Sequence, residues 1–288
     1  MLSYIADYLT NIEENKSVES PAQAYQALRG LGLNDFGHVL WNTPLQEFPK
    51  LSKHLPKMTA PEIQSQWTGC AGEILLDKSV SFVRAASENY ISLTGTDLRG
   101  KRILDYGCGF GRLLRLFRFY TDRIWGVDSW DESLALSHAA GFGDCIRKID
   151  NIPQSLPSEI SFDFAFAFSI FTHLNQKAAT AALSCMRKAA APGAILCITI
   201  RPLEFWNSRF QNAGPRQSFL REEMKKMHRE TGFAFAPSGN RASDPEGCFG
   251  HATIDIAWLQ RMAHGWRIDA MDRSINDPMQ RYIFLRAV

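Results

Sequence analysis

The stretch ILDYGCGFGRLL, residues 103–114, places Gly107, Gly109 and Gly111 on alternate positions directly after a short apolar run. The run reads as a buried strand, and GRLLRLFRFY behind it has helical spacing, so the glycines occupy a strand-to-helix turn. Such a turn lacks the Cβ atoms that keep a ligand away from the backbone. Three occupants are compatible with it: a dinucleotide phosphate, a different nucleotide-like cofactor, or no ligand at all.

The next segment narrows the choice. RIWGVDSW (123–130) reads as the following strand and ends in Asp128. A carboxylate about 20 positions beyond the first glycine can accept hydrogen bonds from both hydroxyls of a ribose. The spacing here is G-x-G-x-G rather than the dinucleotide G-x-G-x-x-G, and Asp105 stands two positions before the first glycine. A carboxylate at that point repels a pyrophosphate. It suits a nucleoside that carries an ammonium and a sulfonium, and S-adenosylmethionine is such a ligand.

Outward from the turn, apolar runs at 102–106, 123–128, about 145–149, 162–168 and 194–200 alternate with helical patterns. That alternation implies crossover connections and a mostly parallel sheet. APGAILCITI (191–200) is expected to be a helix end, a Pro-Gly turn and a buried strand. Residues 201–250 are polar without clear strand character and far longer than a connection needs, so they are expected to serve function. A helix at about 254–263 and an antiparallel strand pair around SINDPM are expected to close the chain. Upstream, Glu73–Leu93 has helical spacing, and residues 1–60 read as short helices, one of them opened by Ser20 as N-cap and Pro21.

ILDYGCGFGRLLR, IWGVDSW and FDFAFAFSIFTHL resemble the successive motifs of class I S-adenosylmethionine-dependent methyltransferases. The FSIFTHL ending and the upstream WTGCAGEILL also resemble a bacterial subgroup of that superfamily. The resemblance covers residues 64–200 and, more loosely, 249–288. It implies an α/β, Rossmann-like fold whose seven-stranded, mostly parallel sheet has an antiparallel last strand. A helical N-terminal extension (1–75) would precede the methyltransferase domain (76–288), with 201–250 as an acceptor-side insertion. Carried over by position, Asp105, Gly107, Gly109 and Gly111 would hold the methionine part of S-adenosylmethionine. Asp128 would bind the ribose, with Ser129 and Trp130 beside the adenine. Asp150 or Asn151, in KIDNIP, would meet the adenine amino group, and Ser169 would lie near the transferable methyl.

Methyl transfer is an in-line displacement, so alignment is the main demand on the protein. A hydroxyl or protonated amine acceptor also needs a base. His173 in FTHL and His251 in FGHATID are the catalytic candidates, each with a purely structural alternative. Arg201 and Trp206, just after the fifth strand, can pair with an acidic acceptor and cover a ring. The WTGCAGE segment, with Gly69 and Gly72, serves equally as a lid or as a helix–helix joint.

Composition excludes several other classes. Over 288 residues, 32 basic side chains nearly balance 30 acidic ones, so no electrostatic case exists for a nucleic-acid partner. No apolar stretch has the length of a membrane span, and six scattered cysteines without a C-x-x-C pair imply neither a metal nor a disulfide framework. The start lacks the pattern of a secretion signal, and a cytoplasmic protein is expected. The expected function is methyl transfer to oxygen or nitrogen of a small-molecule acceptor. A protein or glycan acceptor, a nicotinamide-dependent oxidoreductase and a non-catalytic cofactor-binding module are the alternatives. The helical extension serves a dimer contact as readily as a cap, so no oligomeric state follows.

Overall fold

The computed structural model describes residues 3–14, 18–211, 214–239 and 244–288. Parts of the expected N-terminal extension (1–2, 15–17) and of the expected insertion (212–213, 240–243) lie outside these described residues. The chain opens with α1 (Ala6–Glu14), α2 (Pro21–Leu28), α3 (Leu33–Trp41), α4 (Pro49–His54) and α5 (Pro61–Thr68), and then runs into α6 (Gly72–Thr94). Ser20 caps α2 as expected, its hydroxyl accepting from the Gln23 N–H at 3.4 Å. Leu9, Leu28, Phe36, Leu40 and Leu51, all fully buried, form a core of these helices' own.

Strands and helices then alternate: β1 (Ile103–Tyr106), α7 (Arg112–Phe117), β2 (Ile124–Asp128), α8 (Asp131–Ala140), β3 (Ile146–Lys148), β4 (Phe162–Ala167), α9 (Gln176–Ala189) and β5 (Ala190–Ile200). After β5 come α10 (Phe205–Arg209), α11 (Pro215–Thr231), β6 (Phe233–Pro237), β7 (Gly250–Ile254), α12 (Ile256–Met262), β8 (Trp266–Arg273) and β9 (Arg281–Ala287). The seven-stranded sheet has the order β3-β2-β1-β4-β5-β9-β8. Neighbours from β3 to β5 pair in parallel, and β9 is antiparallel to both β5 and β8. The chain builds outward from β1 in one direction and from β4 in the other. The crevice beyond the carboxyl ends of β1 and β4 is therefore the switch point where ligands bind in such sheets.

The central strand shows how sequence sets the two faces. In FDFAFA, Phe164 and Phe166 pack into the core on the α6 and α7 side, where Phe166 stacks on Phe117 at 4.4 Å between ring centres. Ala165 and Ala167 face the other core with Ala179 and Ala182 of α9. Strict alternation would put Phe162 with Phe164, yet Phe162 sits in the second core. The two flank a register shift, where two steps along β4 (Phe162 to Phe164) face five along β5 (Ala190 to Ile195), so regular pairing and its alternation begin only at Phe164.

The Pro192-Gly193 pair, read from sequence as a turn, lies inside β5 opposite that irregularity. A second difference is larger. Within 201–250 the segment FAFAP forms β6 and pairs antiparallel with β7 in a small separate sheet. Its alternation is short, ends in proline, and gains meaning only from a partner some way along the chain. The helix expected at 254–263 consequently starts at Ile256, where Asp255 caps it by accepting from the Trp258 N–H at 2.6 Å.

Two arginines help fix the N-terminal helices to the sheet: Arg29, after α2, pairs with Asp122 at 2.7 Å and donates to the Arg118 carbonyl, and the second reaches back from α7. Arg115 of α7, fully buried, donates to the carbonyls of Leu40 (3.3 Å), Pro56 (3.3 Å) and Lys57 (3.2 Å). Its guanidinium also lies over the rings of Trp41 and Phe142. Among the described residues, no helix is long and apolar enough to cross a membrane.

Candidate active site

The glycine turn between β1 and α7 is held almost entirely by its own backbone. The N–H groups of Gly107 and Cys108 both donate to the Val127 carbonyl, at 2.8 and 3.1 Å, and that of Gly111 donates to the Cys108 carbonyl at 2.9 Å. The Gly109 N–H donates to Asp128 Oδ2 at 2.9 Å, and the Ser137 hydroxyl of α8 donates to the Gly109 carbonyl at 2.7 Å. A phosphate-binding turn presents its amides outward. Here those of Gly107, Cys108, Gly109 and Gly111 are turned inward and spent.

The three glycines answer different demands. All have positive φ, at 81°, 55° and 77° in chain order. A Cβ on Gly111 would stand 2.5 Å from the Phe142 ring, and one on Gly107 would meet Ile170. At Gly109 the nearest atoms are those of Trp67, at 3.9 Å, so this glycine faces open space.

Two carboxylates flank the turn. Asp128 ends β2, and its Oδ1 accepts from the Trp130 N–H at 3.0 Å while Oδ2 holds Gly109. The Ser133 side chain and the Ser129 N–H also hydrogen-bond this carboxylate. Burial pushes its pKa up, and the amides of Trp130 and Gly109 pull against that rise. Asp105 is more extreme: it is 2% exposed and its Oδ2 has no hydrogen-bond partner. Burial drives its pKa well above the carboxylate range, Arg112 opposes the shift, and Asp128 adds to it. A buried carboxyl oxygen without a donor is costly unless something supplies one.

Aromatic rings roof this end of the sheet. Trp67, on α5, meets Phe110 of the turn edge-on at 6.2 Å and Trp130 at 6.1 Å. The WTGCAGE segment is therefore a joint between α5 and α6 that also lies against the glycine turn. Gly69 ends α5 at φ 79°, and the buried Gln64 accepts from the Gly72 N–H at 3.0 Å. Ser129 and Trp130 follow Asp128 directly, both half-buried. Asp150, exposed, and Asn151, half-buried, lie in the loop after β3, tied to β2 where the Ile149 N–H donates to the Asp128 carbonyl at 3.0 Å.

Beyond β4 a second set of side chains converges. Ser169 adopts φ 61°, unusual for a residue with a side chain, and its N–H donates to Thr199 Oγ1 at 2.7 Å. Its hydroxyl accepts from Gln280 Nε2 at 3.2 Å and lies 3.3 Å from the Thr172 hydroxyl. Arg201, two residues above the Thr199 that holds Ser169, donates to the Thr172 carbonyl at 2.8 Å. Its Nη2 lies 3.1 Å from His173 Nε2, and its Nη1 lies 3.3 Å from His251 Nδ1. An arginine can only donate, so both imidazole nitrogens accept. The other ring nitrogen of His173 sits 2.7 Å from the Gly250 carbonyl and must be its N–H. His251 has its pKa lowered to about 4, by burial first and then by Arg201 and Arg209.

The structure thus brings His173 and His251 together, 5.5 Å apart between ring centres, on one guanidinium. Phe249 stacks on His173 at 4.9 Å and touches Trp130 at 4.8 Å, linking this cluster to the glycine-turn side. Sequence reading missed Gln280 and Phe249. Gln280 follows a loop that carries no motif, and its buried Oε1 has no partner. Phe249 acquires its place through the bridge between Leu174 and itself, a contact with no local signature. The six cysteines are free, and among the described residues no group of three or more His, Cys, Asp or Glu side chains is arranged to hold a metal ion.

Residues 81–236 match the family model described as a methyltransferase domain. The match takes in more than half of the chain, and the protein belongs to this family of enzymes. No curated protein matches it in sequence. Among solved structures it is similar to the PH0226 protein of Pyrococcus horikoshii OT3, at 13% identity over 72% of this chain and 90% of that one, with a TM-score of 0.50. It is also similar to an S-adenosylmethionine-dependent methyltransferase from Mesorhizobium loti, at 17% identity over 70% and 99% of the two chains, with a TM-score of 0.45. A third is the magnesium protoporphyrin IX methyltransferase of Synechocystis PCC 6803 with bound S-adenosylhomocysteine, at 14% identity over 78% and 93%, TM-score 0.46. Family and strand order together set aside the nicotinamide-dependent oxidoreductase, which calls for a parallel sheet and an anion-accepting turn.

Proposed function

We propose that this methyltransferase takes its methyl group from S-adenosylmethionine and delivers it to oxygen or nitrogen of a small-molecule acceptor. The observation that carries the cofactor assignment is the pairing of an amide-spent glycine turn with Asp105, whose buried Oδ2 lacks a donor. That combination rejects a phosphate and accepts a cation. An ammonium supplies both the hydrogen-bond donor and the charge that Asp105 is missing.

The remaining residues fit the same ligand. Asp128, oriented by Gly109 and Trp130, is the acceptor for a ribose diol. Ser129 and Trp130 stand next to it on the adenine side, and Asp150 or Asn151 borders that side from the loop after β3. Gly109 leaves the backbone bare where the ligand passes, under Trp67. Ser169, fixed through its own N–H, marks the end of β4 where the methyl is presented. When bound, the cofactor supplies an electrophilic methyl on a sulfonium. The protein's share is to exclude water and align the incoming atom, with an effect worth up to about 7–11 kcal/mol when alignment is complete. His173 and His251 are the candidates for taking the acceptor's proton, and because Arg201 donates to the one acceptor nitrogen of each ring, that step requires the imidazole to leave the guanidinium.

Calorimetric titration with S-adenosylmethionine, S-adenosylhomocysteine and NAD tests the assignment. The expected result is micromolar binding of both sulfur compounds, none of NAD, and a loss of about 100-fold or more in Asp128→Ala, because that change removes the diol acceptor and unties Gly109. NAD binding, or sulfur-compound binding indifferent to Asp128→Ala, contradicts it.

A further inference from the structure

Arg201 stands out in the acceptor-side cluster for what surrounds it. It is partly exposed, its hydrogen-bond partners are a carbonyl and two imidazoles that accept from it, and among the described residues it makes no ion pair. A guanidinium has five N–H groups. The three contacts leave its Nε–H and one Nη2 hydrogen without a partner among the described residues. Asp277 attracts it electrostatically and Arg209 repels it, and both guanidiniums act on His251. Two positive charges against one negative leave the cluster with a net attraction for anions. Such an unpaired and largely desolvated cation is unfavourable without a counter-charge.

The geometry around this cation is flat. The Phe205 ring lies under the guanidinium at 4.2 Å, and the Phe249 and His173 rings stack within 6° of parallel. The row continues through Phe249 to Trp130 beside the ribose carboxylate. Arg201 connects to Ser169, at the methyl position, through Thr172: carbonyl to the guanidinium, hydroxyl to the Ser169 hydroxyl.

We propose that the acceptor is a planar, ring-bearing carboxylate whose carboxyl group is bound by Arg201 while its ring lies among Phe205, Phe249 and the two imidazoles. The proposal rests on the methyltransferase reading above and names its substrate class. The carboxylate takes the free donors of Arg201, and the ring plane directs the rest of the molecule toward Ser169. Neutral acceptors of the same shape lose the ionic contact and bind weakly.

Benzoate and its isosteric amide, benzamide, are the probes, titrated by ligand-observed NMR into protein saturated with S-adenosylhomocysteine. Benzoate is expected to bind at least tenfold more tightly than benzamide. Arg201→Gln should lose that preference while S-adenosylhomocysteine affinity stays within twofold, and Arg201→Lys, which keeps the charge, should retain part of it. Equal binding of the two probes, no benzoate binding by protein that holds S-adenosylhomocysteine, or a preference that survives Arg201→Gln overturns the proposal. Saturation with S-adenosylhomocysteine is measured first, so its failure falls on the cofactor assignment and removes the basis for this one.

Discussion

The glycine turn and the Arg201 cluster stand above the same sheet but are built on opposite principles. The turn is local: residues 105–111 and Asp128 come from two consecutive strand ends, and main-chain hydrogen bonds to Val127, Cys108, Asp128 and Ser137 fix it. The cluster is assembled from distant places, with His173 after β4, Arg201 after β5, Phe249 and His251 around β7, and Gln280 before β9. Its contacts are side chain to side chain and side chain to carbonyl. A site made from backbone takes one ligand and tolerates little change. A site made from side chains on several loops can be retuned one residue at a time. The difference matches a cofactor that is fixed and an acceptor that distinguishes one enzyme from another.

The largest effect expected on the backbone-built side is from Gly111→Ala. Its Cβ would stand 2.5 Å from the Phe142 ring at a φ of 77°, and that ring is buried beneath Arg115. Overpacking of about 1–3 kcal/mol adds to the left-handed backbone cost of about 1–2 kcal/mol. Gly109→Ala incurs only the second, because nothing lies closer than 3.9 Å. Thermal melts of the two variants should therefore differ by several degrees, with Gly111→Ala the lower. Equal damage at both positions would mean that the turn is held by its ligand-facing side, and the contrast between fixed loop and packed loop would fail.

Asp105→Asn is next, and it separates stability from binding. Its carboxyl is raised far above the usual range by burial, so the folded protein holds that proton more tightly than the unfolded chain does. For a carboxyl raised in this way, stability falls as pH rises from the ordinary carboxylate pKa toward the folded value. The asparagine variant escapes that loss and should melt higher at pH 7 in the absence of ligand. It should also bind S-adenosylmethionine at least tenfold more weakly, since the ammonium loses its counter-charge. In the wild type the same coupling makes cofactor binding release a proton, which calorimetry in two buffers of different ionisation enthalpy reads directly. A variant that melts no higher, or binds as well, removes Asp105 from the cofactor site.

The difference in construction also explains what could be read from the sequence. Strand, turn, helix, strand and Asp128 fall within about thirty residues, where spacing and residue type report geometry without knowledge of the fold. The sheet followed from the alternation of strands and helices, and the β8–β9 pair from its turn. Pairing of β6 with β7 was hidden because FAFAP carries too little pattern to define a strand until Gly250–Ile254 lies beside it. The same pairing brings Phe249 and His251 to His173. Arg201 was visible as a cation beside a strand end, but its grip on both histidines is a tertiary contact between residues 28 and 50 positions apart. Gln280 had no signal at all, since an amide in a polar loop acquires a role only when Ser169 is placed against it.

The smallest effect expected comes from His251→Gln, and it tests how the side-chain-built cluster is held. His251 titrates at about 4, well under the ordinary histidine value, chiefly through burial and then through Arg201 and Arg209. Its unfolded form takes up a proton at a higher pH than its folded form, so the stability it contributes is present above about pH 6.5 and drains away as pH falls toward 4. His228 is lowered in the same direction, so the informative quantity is the difference between wild type and variant. The wild-type melting temperature should drop more between pH 7 and pH 5 than that of His251→Gln, by a few degrees at most, because the ring is only half-buried. Parallel pH profiles would mean that His251 takes up its proton as readily in the folded protein as in the unfolded chain, so that neither burial nor the Arg201 guanidinium opposes its charge.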